Sequence, residues 1–207
     1  MVTRIAGILL AAGDGTRLGQ PKATVELNGA TLAERGVALL RAGGADPVLV
    51  VTGAVRVAVP GTVTVRNGDW ASGMGSSLVA GLQAADAEGE GAGGAVVTAA
   101  VIALADQPLI GPEAVRRLIA AHAAGASVAV AAYDGEPRNP VLIAREHWPE
   151  VVTMARGDAG ARPFLRAHPD LVTLVECGDT GSPDDIDTPQ ELARARALTP
   201  PAPPTGR

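Results

Sequence analysis

Apolar positions along this chain follow two rhythms. Ile5 to Ala11, Pro47 to Thr52 and Val96 to Ala105 are near-continuous apolar runs, the pattern of strands buried on both faces. Thr62 to Arg66, Ser127 to Ala132, Pro140 to Ile143 and Leu171 to Glu176 read as shorter strands, the middle two flanking a turn-rich stretch from Asp134 to Asn139. Between these runs the spacing becomes helical. Thr31-Leu32-Ala33-Glu34 is a capping box that opens a helix ending near Gly43-Gly44, and Thr188-Pro189-Gln190-Glu191 is a second one that opens the last helix. Ser76 to Ala85, Pro112 to Ala124, His147 to Met154 and Arg162 to Ala167 complete the helical set. Glu88 to Gly94 reads as a glycine-rich surface loop, and the Pro-rich tail over 199–207 as disordered, leaving one domain over 1–198. Strands alternating with helices predict an α/β fold with a mostly parallel sheet, whose ligand-binding loops lie at the carboxyl ends of the strands.

Composition narrows the function classes. With 47% hydrophobic residues a packed core is available, but aromatics are only 2%, so Ala, Val, Leu and Ile must build it. The net charge is −5 and the basic residues are scattered, which argues against nucleic-acid binding, where phosphate neutralisation supplies most of the affinity. Cys177 is the single cysteine, a small packed residue after a strand; a lone thiol fits a reducing cytoplasm and excludes an internal disulfide. No apolar run reaches the roughly 20 residues of a membrane helix. Arg4 followed by Ile5 to Ala12 faintly imitates a secretion signal, but the run is short and leads straight into a glycine loop. His122, His147 and His168 are too widely spread in sequence to suggest a metal site.

That loop is the chemical centre of the sequence. Leu10 to Lys22 reads LAAGDGTRLGQPK. Gly13, Gly15 and Gly19 let the backbone turn with positive φ and bring N–H groups close to an anion, and Leu10, Ala11 and Ala12 lead the chain into it. Arg17 offers a planar fork for phosphate oxygens and Lys22 a compact charge, stiffened by Pro21. The spacing fits neither a dinucleotide-binding G-x-G-x-x-G nor a Walker A loop. An ordinary strand-to-helix turn needs no such basic pair, so a polyphosphate cradle is the better reading. Asp106 ends the strand in LADQP, placed either to hold Mg²⁺ near that cradle or to cap the turn before the Pro112 helix. Asp184, Asp185 and Asp187 precede the last helix, where acids are also favoured by the helix dipole. Gly75, Ser76 and Ser77 would present N–H groups and hydroxyls at a helix start, suited to nucleotide contacts.

The pattern L-A-A-G-x-G-x-R-x-G-x-P-K resembles the signature of nucleotidyltransferases with a glycosyltransferase-A-like fold, a three-layer sandwich around a Rossmann-like sheet. Asn67-Gly68-Asp69-Trp70, Gly73-Met74-Gly75-Ser76-Ser77-Leu78 and Gly157-Asp158-Ala159-Gly160-Ala161-Arg162 are similar to stretches of the molybdenum cofactor cytidylyltransferases. The resemblance spans nearly all of residues 3 to 197. It implies Asp106 and Asp187 as Mg²⁺ ligands, with Asp185 the lesser candidate, and Arg17 and Lys22 on the triphosphate. It implies Asn139, Asp158 and Arg162 on the acceptor side. Arg138-Asn139-Pro140 departs from the usual Gly-His-Pro there, which bears on the acceptor's identity.

The implied reaction joins the nucleoside monophosphate of a nucleoside triphosphate to a phosphorylated acceptor with release of pyrophosphate. Ala12 resembles the CTP-using branch, with molybdopterin as acceptor and a molybdoenzyme or its chaperone as partner. Alternatives are GTP on the same cofactor, CTP on a small phosphorylated alcohol, or a non-catalytic cofactor carrier. A glycosyltransferase of this architecture would carry its D-x-D at a mid-chain strand end, whereas Asp185 to Asp187 stands near the C-terminus.

Overall fold

The first strand, β1 (Thr3–Ala11), is apolar on both sides because both sides are covered. Leu9 and Ala11 sit in one core, while Ala6, Ile8 and Leu10 sit in the other. This is the period-2 alternation of a strand placed between two helical layers. The computed structural model describes residues 3–88 and 95–199. Of the sequence-predicted Glu88–Gly94 loop, residues 89–94 lie outside the described residues, as does the tail from residue 200.

Seven strands form the central sheet in the order β5-β4-β1-β6-β8-β7-β9. They are β1, β4 (Val48–Thr52), β5 (Val63–Arg66), β6 (Val96–Leu104), β7 (Val128–Tyr133), β8 (Glu136–Ala144) and β9 (Val172–Glu176). The pairs β1 with β4, β1 with β6, β4 with β5 and β7 with β9 are parallel, and β8 runs antiparallel to both of its neighbours. The sheet is thus mostly parallel with helices on both faces, as the alternating pattern predicts. Helices α1 (Leu32–Ala42) and α3 (Pro112–Ala123) cover one face through Val37, Leu40, Val115 and Leu118. On the other face lie α2 (Met74–Ala87), α4 (Trp148–Met154) and α5 (Arg162–Ala167), which bury Leu78, Leu82, Trp148 and Phe164. Cys177 is buried directly after β9.

Several local features differ from the sequence reading. The turn-rich stretch Asp134–Asn139 shrinks to a two-residue turn at Asp134 and Gly135, both with positive φ, and the chain is already extended at Glu136. An Asp-Gly pair with both residues left-handed is the hairpin turn whose twist matches the strands it joins. Helix α2 begins at Met74, two residues before the predicted start, after Gly73 at φ 112°. A short antiparallel pair, β2 (Glu26–Leu27) with β3 (Ala30–Thr31), forms directly after Lys22, where no strand was expected because each arm is only two residues long.

That small hairpin organises a third core. Val25, Leu27 and Leu32 pack against Ile186, Leu192 and Ala195, the last two on α6 (Pro189–Leu198). Both predicted capping boxes are present, at Thr31 with Glu34 and at Thr188 with Glu191. Thr199, placed by the sequence in the tail, follows α6 as its cap, and its carbonyl accepts from the Asn28 side chain at 2.6 Å.

Candidate active site

β1 and β6 are adjacent and parallel, with Leu10 opposite Leu104, so the glycine loop and Asp106 leave the sheet side by side. The Ala105 N–H donates to the Leu10 carbonyl at 3.1 Å and continues the ladder one step past the strand. Their proximity, expected from strand polarity alone, is therefore real.

Within the loop the glycines have different reasons to be there. Gly15 has φ +62°, and a Cβ on it would lie 2.0 Å from the Gln20 carbonyl oxygen, so the loop's own folding requires it. Gly13 has open space where a side chain would be, and no internal contact demands glycine. Its backbone faces the cleft, where a ligand could approach closely.

The C-terminal segment supplies the remaining acids. Ile186, nearly fully buried, pins this segment to the β2–β3 core, and its N–H donates to the Asp106 carbonyl at 2.8 Å. Asp187 is thereby delivered to Lys22, a residue 165 positions away. Lys22 Nζ contacts Asp106 Oδ2 at 2.6 Å and also Asp187 Oδ1, while Arg17 donates to Asp187 Oδ2 at 2.9 Å. The hydrogen bond from Lys22 holds the Asp187 carboxyl below its ordinary range. Burial pulls the Lys22 pKa down, but Asp106 and Asp187 outweigh it and the net shift is upward. Asp185 is pushed up, first by burial and then by the nearby Asp106 carboxylate.

Two carboxylates converging on one cation form a hard-oxygen donor pair, the chemistry that suits Mg²⁺ when substrate phosphates complete the shell. Among the described residues no three acidic, imidazole or thiolate groups converge to hold an ion unaided.

These groups line one cleft of about 1260 Å³ that runs from the glycine loop toward β8, β7 and β9. Leu10, Ala11, Ala12, Gly13, Gly15, Arg17, Lys22, Asp106 and Asp187 border its near end. Asn139, Asp158 and Arg162 border its far end, and Ser77 lines it between them. Gly75 and Ser76 stand behind its wall instead. The Ser76 hydroxyl has its single proton for the turn itself, with the Gly73 carbonyl at 2.8 Å and the Asp69 carbonyl at 3.0 Å as its alternative acceptors, and it accepts from the Asn67 amide at 2.8 Å. A Cβ on Gly75 would meet the Arg156 nitrogen at 2.7 Å, and one on Gly73 would meet Gly157 at 2.4 Å. The Gly-Met-Gly-Ser-Ser stretch thus needs glycine for close packing against the Ala155–Asp158 segment. Asp158 Oδ1 accepts from the Met74 N–H at 3.4 Å and faces the start of α2.

The sequence assigned no role to several residues of this cleft. Gln107 is buried and donates to the Pro183 carbonyl at 3.0 Å and to Asp185 Oδ1 at 2.8 Å, tying the strand end that carries Asp106 to the segment that carries Asp187. Arg138 and Arg166 also line the cleft, as does Trp70. The only signal for Gln107 was its place beside Asp106, and for Trp70 its place in the Asn67–Trp70 stretch. Nothing in the local sequence distinguishes Arg166 from any surface arginine.

Comparison with known proteins matches residues 7–172 to a family described as the MobA-like NTP transferase domain. A protein named nicotine blue oxidoreductase from Paenarthrobacter nicotinovorans is 38% identical over 204 residues, covering 92% of this chain and 95% of its own. The purine catabolism protein PucB of Bacillus subtilis is 30% identical over 93% of this chain and 96% of its own. A probable molybdenum cofactor guanylyltransferase of Opitutus terrae is 49% identical over 47 residues, 23% of each chain. Among solved structures, a protein of Mycobacterium sp. strain JC1 superposes with a TM-score of 0.78 at 26% identity, covering 96% of this chain and all of that one. The 2-C-methyl-D-erythritol 4-phosphate cytidylyltransferase of Thermus thermophilus superposes with a TM-score of 0.69 at 22% identity, covering 94% and 98%, a likeness of fold.

Proposed function

Since this chain belongs to the MobA-like NTP transferase family, we propose that it transfers a nucleoside monophosphate from a nucleoside triphosphate to a phosphorylated acceptor. The observation that carries this reading is the meeting of Lys22 with Asp106 and Asp187 beside the glycine loop. In the proposed step an acceptor phosphate oxygen forms a bond to the α-phosphorus while the bond from that phosphorus to the bridging oxygen breaks, and pyrophosphate leaves. The nucleophile is already an anion, so no protein base is required. Catalysis then rests on positioning and charge neutralisation.

The loop N–H groups orient the triphosphate, and Arg17 and Lys22 turn toward its oxygens. Asp106 and Asp187, released from Lys22, would hold Mg²⁺, which supplies Lewis-acid neutralisation of the phosphates when bound. Gln107 keeps the two acidic segments in register. Ser77 and the Ala12 stretch border the nucleoside.

CTP and a molybdopterin-type acceptor are the specific substrates we assign, on the likeness of the Asn67–Leu78 and Gly157–Arg162 stretches to the molybdenum cofactor cytidylyltransferases. The Opitutus relative, named a guanylyltransferase, makes GTP the nearest competitor. The test is thermal stability with Mg²⁺ and each of CTP, GTP, ATP and UTP, followed by pyrophosphate release. A ligand at a hundredfold excess over its dissociation constant stabilises by about 2.7 kcal/mol. Asp106→Ala is expected to keep the fold by circular dichroism and to lose pyrophosphate release by at least about a hundredfold, in line with the loss of a main electrostatic stabiliser. Wild-type turnover in that variant would overturn the metal assignment.

A second reading is favoured by one finding, the relative named as an oxidoreductase. In that case the cleft would take a substrate that is oxidised or reduced in place of a nucleoside triphosphate. Bleaching of nicotine blue by the protein with an added chemical reductant, with no pyrophosphate released from any triphosphate, would decide for it.

A further inference from the structure

Charge is divided unevenly along the cleft. At the near end Arg17 and Lys22 face Asp14, Asp106, Asp185 and Asp187, and both cations already contact carboxylates. On the β8–β7–β9 side Arg138, Arg162 and Arg166 face a single acid, Asp158. Arg138 donates only to the carbonyl of its neighbour Pro137 at 3.3 Å, and Arg162 to the backbone carbonyl of Asp158 at 3.2 Å. No ion pair joins any of the three to a carboxylate among the described residues. The near end thus carries an excess of negative charge and the far end an excess of positive charge.

Apolar side chains line the same part of the cleft as these arginines. Leu165 and Val172 are half-buried there and Leu174 is 49% exposed, so three aliphatic side chains line this stretch of the cleft together. The volume of about 1260 Å³ exceeds the roughly 300–1,000 Å³ of an ordinary single-ligand site, which leaves room for a second molecule beside a nucleotide. An arginine fork beside apolar side chains suits an amphipathic anion, with its apolar face on Leu165, Val172 and Leu174 and the anionic groups on the guanidiniums.

We propose that the far half of the cleft is a subsite for an acceptor with one apolar face and two anionic groups, one directed toward the nucleotide and the other held by Arg138 and Arg166. Calling the occupant an acceptor rests on the nucleotidyl-transfer reading, while the anion selectivity follows from the arginines alone. Arg138 acts here as a specificity-determining residue. A neutral or singly charged ring leaves one guanidinium fork without a partner and forgoes its charge-assisted hydrogen bonds.

The experiment uses two soluble aryl anions, naphthalene-1-sulfonate and naphthalene-1,5-disulfonate, titrated calorimetrically into the full chain at low salt. The wild type is expected to bind the disulfonate about tenfold more tightly, equivalent to about 1.4 kcal/mol. Both arginines are exposed, so Arg138→Ala combined with Arg166→Ala should fold normally and bring the two affinities to parity. Arg138→Lys should retain part of the preference, since a point charge replaces the fork. Equal affinities in the wild type, no measurable disulfonate binding, or a preference that survives the double substitution would each overturn the proposal. A wild-type protein that prefers the disulfonate yet shows no magnesium-dependent shift with any nucleoside triphosphate would sink the transferase reading and leave this subsite standing.

Discussion

At the scale of single residues, Gly13 and Gly15 separate two causes that look identical in the sequence. Gly15→Ala forces a Cβ against the Gln20 carbonyl at positive φ, so a loss of about 1–3 kcal/mol of stability is expected in a urea melt. Gly13→Ala meets open space and should leave the same melt within about 0.5 kcal/mol of wild type. Its effect is expected on nucleotide affinity instead. Lys22 presents another local balance, because its ammonium stands between Asp106 and Asp187 in the free site. Lys22→Ala leaves two carboxylates without their shared cation. We expect tighter binding of Mn²⁺ alone, read by electron paramagnetic resonance, together with weaker binding of the triphosphate. Unchanged Mn²⁺ affinity would mean that the two acids are not the metal donors. The glycines and the basic pair were legible as residue types, but which glycine serves the fold and which faces the cleft was not. That distinction depends on the Gln20 carbonyl folding back over the loop.

Secondary-structure elements carry their own consequences. Tyr133 ends β7 with its side chain buried, and that burial pushes its pKa up to about 12 against a smaller opposing pull from Thr180. The neutral phenol is favoured in the fold, so its contribution to stability is fully present below the ordinary value of 10.0. That contribution is lost as pH rises through about 12. It is the only tyrosine, so absorbance at 295 nm reads this group alone; a midpoint near its ordinary value in the folded protein would contradict the burial. The Asp134-Gly135 turn just beyond it governs a site residue. By returning the chain after two residues it makes β8 long enough to bring Arg138 and Asn139 to the cleft. Read as a longer loop, the same residues had no fixed position. The overlooked β2–β3 pair has a similar lesson, since two-residue strands lie below the length at which alternation can be recognised.

For the molecule as a whole, the decisive contact joins the two ends of the chain. The third core, with Ile186 at its centre, holds the C-terminal segment on the residues that follow Lys22. Ile186→Ala is expected to lower stability by about 2–4 kcal/mol. It should also shrink the magnesium-dependent thermal shift with nucleoside triphosphate, because Asp187 loses its fixed place. A similar loss of stability from Leu118→Ala, in the core beneath α3, should leave that shift intact. If the two variants respond alike, the C-terminal segment does not contribute to the site. No helix among the described residues is long and apolar enough to cross a membrane.

The sequence by itself determined the α/β class, most element positions, both capping boxes, the glycine loop and the acids that approach it. Each of these is written in local terms, as a run of apolar residues, a capping pair or a turn residue, and local terms survive without coordinates. Strand polarity also placed Asp106 beside the loop, because parallel neighbours release their carboxyl ends on the same edge. Only the tertiary structure decided that Asp187 reaches Lys22, that Ser76 is committed to its own turn, that Gln107 ties two acidic segments, and that Arg138, Arg162 and Arg166 line one cleft. Apart from Ser76, whose partners lie within 9 residues, those facts depend on packing between segments separated by tens to well over a hundred residues, and such packing is set by the summed burial of side chains with no adjacent partner in the chain.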